Sequence, residues 1–115
     1  MLVKKVLVTG ASGFVGSHIV MRLLEAGFQV FSFTRKSQTK TEIPKVINVS
    51  VDYLDEPLLA YKLAEINPDC IIHLSSSRDR SSFADCQLHK FYDDVAADFS
   101  LIMASSKLSD ITSFL

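Results

Sequence analysis

Gly10, Gly13 and Gly16 follow the apolar run Val6-Leu7-Val8, with two residues between each pair of glycines. Such glycines act through the backbone. Gly10 lets the chain leave a strand in a tight turn, and Gly13 brings an N–H close to a ligand with no Cβ in the way. Gly16 lets the helix that follows pack closely on the sheet. A helix opening there points unsatisfied N–H groups and the positive end of its dipole outward. The group this suits is a pyrophosphate. The spacing is one residue longer between the first pair than Gly-x-Gly-x-x-Gly. Ser17-His18 follows Gly16 where a triphosphate loop would carry Lys-Ser or Lys-Thr, so that alternative is disfavoured.

The elements around these glycines have to form a sheet with covered faces. Val3 to Thr9 is a near-continuous apolar run of the kind buried on both sides in a parallel sheet. From Phe14 to Ala26 apolar residues recur at helical spacing, and Gly27 stops the helix. Gln29 to Thr34 reads as strand two, and the polar stretch Arg35 to Pro44 as a loop or single helical turn. Lys45 to Val51 reads as strand three, Glu56 to Ile66 as a helix with Pro57 in its first turn, and Cys70 to Leu74 as strand four. A loop from Ser75 to Ser82 leads to a long helix from about Cys86 to Lys107. In that helix Phe91, Val95, Phe99, Ile102 and Met103 form a stripe expected to face the core, and Asp93, Asp94 and Asp98 are expected near its start. Ile111 to Leu115 starts like a fifth strand. The expected fold is α/β, a Rossmann-like doubly wound parallel sheet of strand order 3-2-1-4-5, truncated after strand five. Its crevice should lie at the carboxyl ends of strands one and four, where that order reverses. An unpaired apolar edge on strand five makes self-association an expectation.

Composition sets bounds on this reading. The chain has 115 residues, enough for one domain with a buried core. Its net charge is −1, so no chain-wide basic field draws it to nucleic acid or an anionic membrane. Lys4, Lys5, Thr9, Arg22 and Glu25 interrupt the apolar stretches well short of a membrane span. Met-Leu-Val-Lys-Lys runs straight into the first strand, so no cleaved leader is expected. Cys70 and Cys86 have no Cys-x-x-Cys spacing, which gives reduced thiols, a cytoplasmic location and no metal site as the expectation. His18, His73 and His89 read as structural residues; a histidine inside an apolar strand, as His73 is, is more often hydrogen-bonded in place than a base.

Three segments together resemble the N-terminal half of extended short-chain dehydrogenase/reductases, the NAD-dependent epimerase/dehydratase group. They are Thr9-Gly10-Ala11-Ser12-Gly13-Phe14-Val15-Gly16, Asp52-Tyr53-Leu54-Asp55, and Pro68-Asp69-Cys70-Ile71-Ile72-His73-Leu74-Ser75-Ser76. The resemblance covers essentially the whole chain and implies an NAD(P)-binding Rossmann domain over residues 1–115. It implies that Gly10, Ser12, Gly13, Phe14, Val15 and Gly16 form the pyrophosphate loop. It gives Asp52 the adenine amino group, with Tyr53 lining that pocket through its backbone, and runs Leu74, Ser75 and Ser76 under the nicotinamide ribose. A carboxylate can accept from an exocyclic amine with no charged partner; the other reading of Asp52 is a solvated acid after a strand. An acid at the end of strand two would meet a ribose 2′-hydroxyl and a cation a 2′-phosphate. This chain has Thr34-Arg35-Lys36 there and no acid before Glu42, so NADP(H) is favoured over NAD(H), with Arg35 as the planar fork; otherwise these cations are a solvated loop.

The chain also departs from the family. Family enzymes use a Tyr-x-x-x-Lys pair as general acid/base after strand five, but Tyr53, Tyr61 and Tyr92 are followed four residues on by Pro57, Glu65 and Ala96. In the long helix the family usually carries Asn where Asp94 falls and Gly-Thr where Ala97-Asp98 fall. The resemblance therefore implies the cofactor-binding portion of a reductase, epimerase or dehydratase acting by hydride transfer, on a nucleotide-linked sugar by the Asn67-Pro68-Asp69 entry to strand four. The alternatives are a non-catalytic dinucleotide-binding module, an inactive truncated remnant, and a flavodoxin-like domain, which the combination of Gly13, Asp52 and the strand-four segment argues against.

Overall fold

The structure, a computed structural model, describes residues 4–35, 45–74, 88–108 and 113–115. Four strands, β1 (Lys5–Thr9), β2 (Gln29–Arg35), β3 (Ile47–Val51) and β4 (Cys70–His73), form a parallel sheet in the order β3-β2-β1-β4. Helices α1 (Phe14–Glu25), α2 (Glu56–Ile66) and α3 (Leu88–Ser105) cover it. Ser113–Phe114 pairs parallel with Cys70 and Ile71 outside β4. Most of the expected crossover Arg35 to Pro44, and the loop Ser75 to Ser82, lie outside the described residues.

The strands are apolar on both faces because both faces are covered. Leu7, Phe31, Phe33, Val51 and Ile71 pack with Leu59, Leu63 and Ile66 of α2 and Ala97, Leu101 and Ala104 of α3. Val6, Val8 and Val30 point the other way, against Val20, Leu23 and Leu24 of α1. Odd and even positions of one strand thus serve different layers, as the two-residue period requires.

Local chemistry sets the boundaries. At the end of α1, Gly27 takes φ 91°, and the N–H groups of Gly27 and Phe28 donate to Leu24 O and Leu23 O at 3.1 Å each, a Schellman closure. Asp55 caps α2, its carboxylate accepting from Leu58 N at 3.1 Å, and Asn67 ends it in the left-handed region. Strand three begins two residues later than its apolar pattern suggests because Lys45 has φ 68°, a turn conformation that no strand accepts. Asp69 sets the β1–β4 register: its carboxylate accepts from Lys5 N at 2.8 Å while its own N–H donates to Lys5 O at 2.9 Å.

Two expectations about α3 are overturned. Val95, Phe99, Ile102 and Met103 are between 45% and 59% exposed, so these four members of the stripe face outward; the Phe91 side chain lies outside what the structure describes. The face against the sheet and α2 is Ala97, Ser100, Leu101, Ala104 and Ser105. Small residues let the helix sit close, and Ser105 satisfies its hydroxyl on Leu101 O at 2.6 Å. Asp98 lies in the third turn of the described helix, away from its start, and meets β4. Leu101→Ala is expected to cost about 2–5 kcal/mol as a cavity at a fully buried site, whereas Phe99→Ala should stay within about 0.5 kcal/mol. Urea melts of the two variants check this, and reversed effects would mean that the Phe99 face, not the Leu101 face, is the one against the sheet.

Candidate functional site

The parallel register brings four strand ends to one edge. Thr9 of β1 is level with Phe33 and with His73, and Arg35 of β2 is level with Val51 of β3. Gly10, Asp52 and Leu74 therefore leave the sheet on the same side. The chain order reverses between β1 and β4, the place where open α/β sheets take their ligands.

Gly10 turns the chain with φ 72°, a conformation that a side chain resists, and Gly13 N–H closes the turn on Gly10 O at 3.1 Å. Gly13 then caps α1 with extended backbone angles and no side-chain bond, and the first helical turn carries no acid. The leading N–H groups of α1 thus lack both an intrahelical partner and a side-chain cap. Ser12, Gly13, Phe14 and Val15 are all exposed around them. A Cβ on Gly13 would stand 3.3 Å from Gly10 O, so the cradle is already tight. Gly16 packs on a different surface from the one expected. A Cβ there would fall 2.0 Å from Gly10 O and 3.0 Å from Ala11 Cα, so the close approach is to the turn itself, with the sheet further away.

Asp52 is exposed, and its Oδ1 accepts from Leu54 N at 3.0 Å, which holds the turn into α2. Tyr53 is buried, its ring edge-on to Phe33 with centroids 6.4 Å apart, so its side chain belongs to the core. Arg35 ends β2, directly before the segment that lies outside the described residues. Leu74 is half-exposed, and its N–H is held by Thr9, at 3.1 Å from the carbonyl and 3.0 Å from Oγ1. Ser75 and Ser76 lie outside the described residues.

His18 contacts its own helix, its Nδ1 2.7 Å from Phe14 O and its ring tilted against Phe14 with centroids 4.9 Å apart. His73 is hydrogen-bonded at both ring nitrogens, to Thr9 Oγ1 at 2.6 Å and to Asp98 Oδ1 at 2.5 Å. Burial, with Asp69 close by, raises the Cys70 pKa and keeps it a thiol rather than a nucleophile at neutral pH. Sequence reasoning missed the role of Thr9 and Asp98. A donor-bearing residue at the end of both central strands was a readable signal; the approach of Asp98 from α3 left none.

The match that decides the family runs over residues 6–115. The chain belongs to the NAD dependent epimerase/dehydratase family. Within and around that family it is 30% identical over 111 residues to a UDP-glucose 4-epimerase of Schizosaccharomyces pombe, covering 89% of this chain and 31% of that protein. It is 40% identical over 75 residues to a 3-beta-hydroxysteroid dehydrogenase of Mycolicibacterium neoaurum, covering 65% of this chain and 20% of that protein. The UDP-glucose 4-epimerase of Stenotrophomonas maltophila, solved with bound NAD and formylated UDP-arabinopyranose, shares the fold with a TM-score of 0.81. Identity there is 20%, over 96% of this chain and 35% of that one. The chain thus spans about a third of the epimerases' length and a fifth of the dehydrogenase's. Among the described residues no helix is long and apolar enough to cross a membrane.

Proposed function

We propose that residues 1–115 are the dinucleotide-binding domain of a cytoplasmic NAD(P)-dependent family enzyme that acts on a nucleotide-linked sugar by hydride transfer. The observation that carries this reading is the uncapped N-terminus of α1, exposed at the turn from β1 where the sheet order reverses. In this reading Gly10, Ser12, Gly13, Phe14, Val15 and Gly16 hold the pyrophosphate. Asp52 and the Tyr53 backbone take the adenine, and Leu74, Ser75 and Ser76 pass under the nicotinamide ribose. Bound NAD(P) supplies or accepts the hydride, and the protein orients it and excludes competing reactions.

Although solved relatives carry NAD, the proposal here is NADP(H), because an arginine and no acid ends β2. A guanidinium gains a charge-assisted bond from a 2′-phosphate, whereas a 2′-hydroxyl offers it none of that charge. Titration followed by reduced-nicotinamide fluorescence should show NADPH binding about tenfold tighter than NADH, with Arg35→Ala removing the difference. Equal affinities would overturn the NADP preference, and binding of neither would overturn the dinucleotide reading.

A further inference from the structure

The carboxyl ends of the two central strands are joined by a chain of polar groups that the dinucleotide reading does not use. Thr9 and His73 are register partners at the last positions of β1 and β4. Thr9 is fully buried, and its Oγ1 lies 2.6 Å from His73 Nδ1 and 3.0 Å from Leu74 N. The other ring nitrogen, Nε2, lies 2.5 Å from Asp98 Oδ1. The His73 side chain is 12% exposed and that of Asp98 49%, so the network runs from the interior to the surface.

The chemistry of each group fixes the direction of the bonds. A carboxylate only accepts, so the proton of the imidazole must sit on Nε2 and point at Asp98. In the neutral ring Nδ1 is then an acceptor, and the Thr9 hydroxyl donates to it. That orientation turns an Oγ1 lone pair to the Leu74 N–H, which the Thr9 carbonyl also accepts at 3.1 Å. Without Asp98 the ring can change tautomer, the Thr9 hydroxyl can rotate, and one of the two holds on Leu74 loosens.

We propose that Asp98 is a positioning residue: through His73 and Thr9 it fixes the backbone at Leu74, where the chain leaves β4 and enters the crevice beside the nicotinamide half of the dinucleotide. The inference rests on the dinucleotide reading above and assigns a residue that neither the glycine motif nor the strand-end segments contain.

Long-range proton–nitrogen correlation NMR on the whole chain at neutral pH should show His73 with its proton on Nε2 and none on Nδ1. Asp98→Ala should mix the tautomers and weaken NADH about tenfold, with ADP affinity unchanged because the adenosine half lies beyond this segment. Asp98→Asn, whose carbonyl still accepts from Nε2, should keep the tautomer and most of the affinity. A proton on His73 Nδ1 in the wild type overturns the proposal even where Asp98→Ala does not fold. Unchanged NADH binding in Asp98→Ala, or an equal loss of NADH and ADP, also overturns it. A wild type that binds neither NADPH nor NADH overturns the dinucleotide reading itself; a wild type that binds while Asp98→Ala does not differ overturns only the role of Asp98.

Discussion

Replacing Gly16 with alanine is expected to destabilise the chain by about 2–4 kcal/mol, against a total stability of about 5–15 kcal/mol for a domain of this kind. Two effects oppose each other at this position. Alanine is the better helix former by about 1 kcal/mol, and Gly16 is inside α1, so propensity alone predicts a gain. Against it, the new Cβ would fall 2.0 Å from Gly10 O and 2.8 Å from Gly10 C. Both are main-chain atoms, fixed by the Gly10–Gly13 turn, so no rotamer change relieves the clash. The first turn of α1 has to lift from the loop, pulling with it the contacts of Val20 and Ala11 in the layer beneath. The clash wins. A urea melt with a midpoint at or above that of the wild type would overturn this account of why a glycine stands there.

The sheet was legible because a parallel strand covered on both faces has to be apolar at successive positions, and Val6-Leu7-Val8 and Cys70-Ile71-Ile72 are. The turn chemistry was legible for the same kind of reason. Gly27 stands where α1 must end in the left-handed region, and Pro57 stands in the first turn of α2, where its missing N–H costs no bond. The orientation of α3 was not legible. Its larger apolar side chains mark one face, yet the sheet and α2 leave room only for alanines, serines and Leu101. Size, not hydrophobicity, chose the buried face. Asp98 was misplaced for a related reason: an acid in a helix reads as a complement to the dipole, and its partner His73 is twenty-five residues away in sequence, on a strand. The motif fixes only that something approaches Gly16 closely, and the turn at Gly10, rather than the expected sheet, curls back far enough to be that something. Of the site, the backbone parts were readable and the side-chain network behind them was not.

Gly13→Asp should leave the fold intact and lower NADH affinity by about 100-fold or more, a separation that few substitutions at a glycine would give. Gly13 has φ −73° and ψ 173°, extended angles open to any residue. Aspartate is among the best residues at a helix cap and its charge suits the dipole, together worth about 1 kcal/mol. The tight 3.3 Å approach of the new Cβ to Gly10 O costs part of that, so the melt should move little. Binding responds in the opposite sense. The carboxylate occupies the N–H groups that the pyrophosphate would take, and it repels the phosphates. Two unit charges about 4 Å apart interact by roughly 4 kcal/mol at an effective dielectric constant near 20. Gly13→Asn isolates the charge: it caps the same N–H groups without repulsion and should lose clearly less affinity. Raising salt should narrow the gap between the two variants, since the Debye length falls to about 3 Å at 1 M. A cooperatively folded Gly13→Asp that binds NADH as the wild type does would mean that no diphosphate sits at the opening of α1.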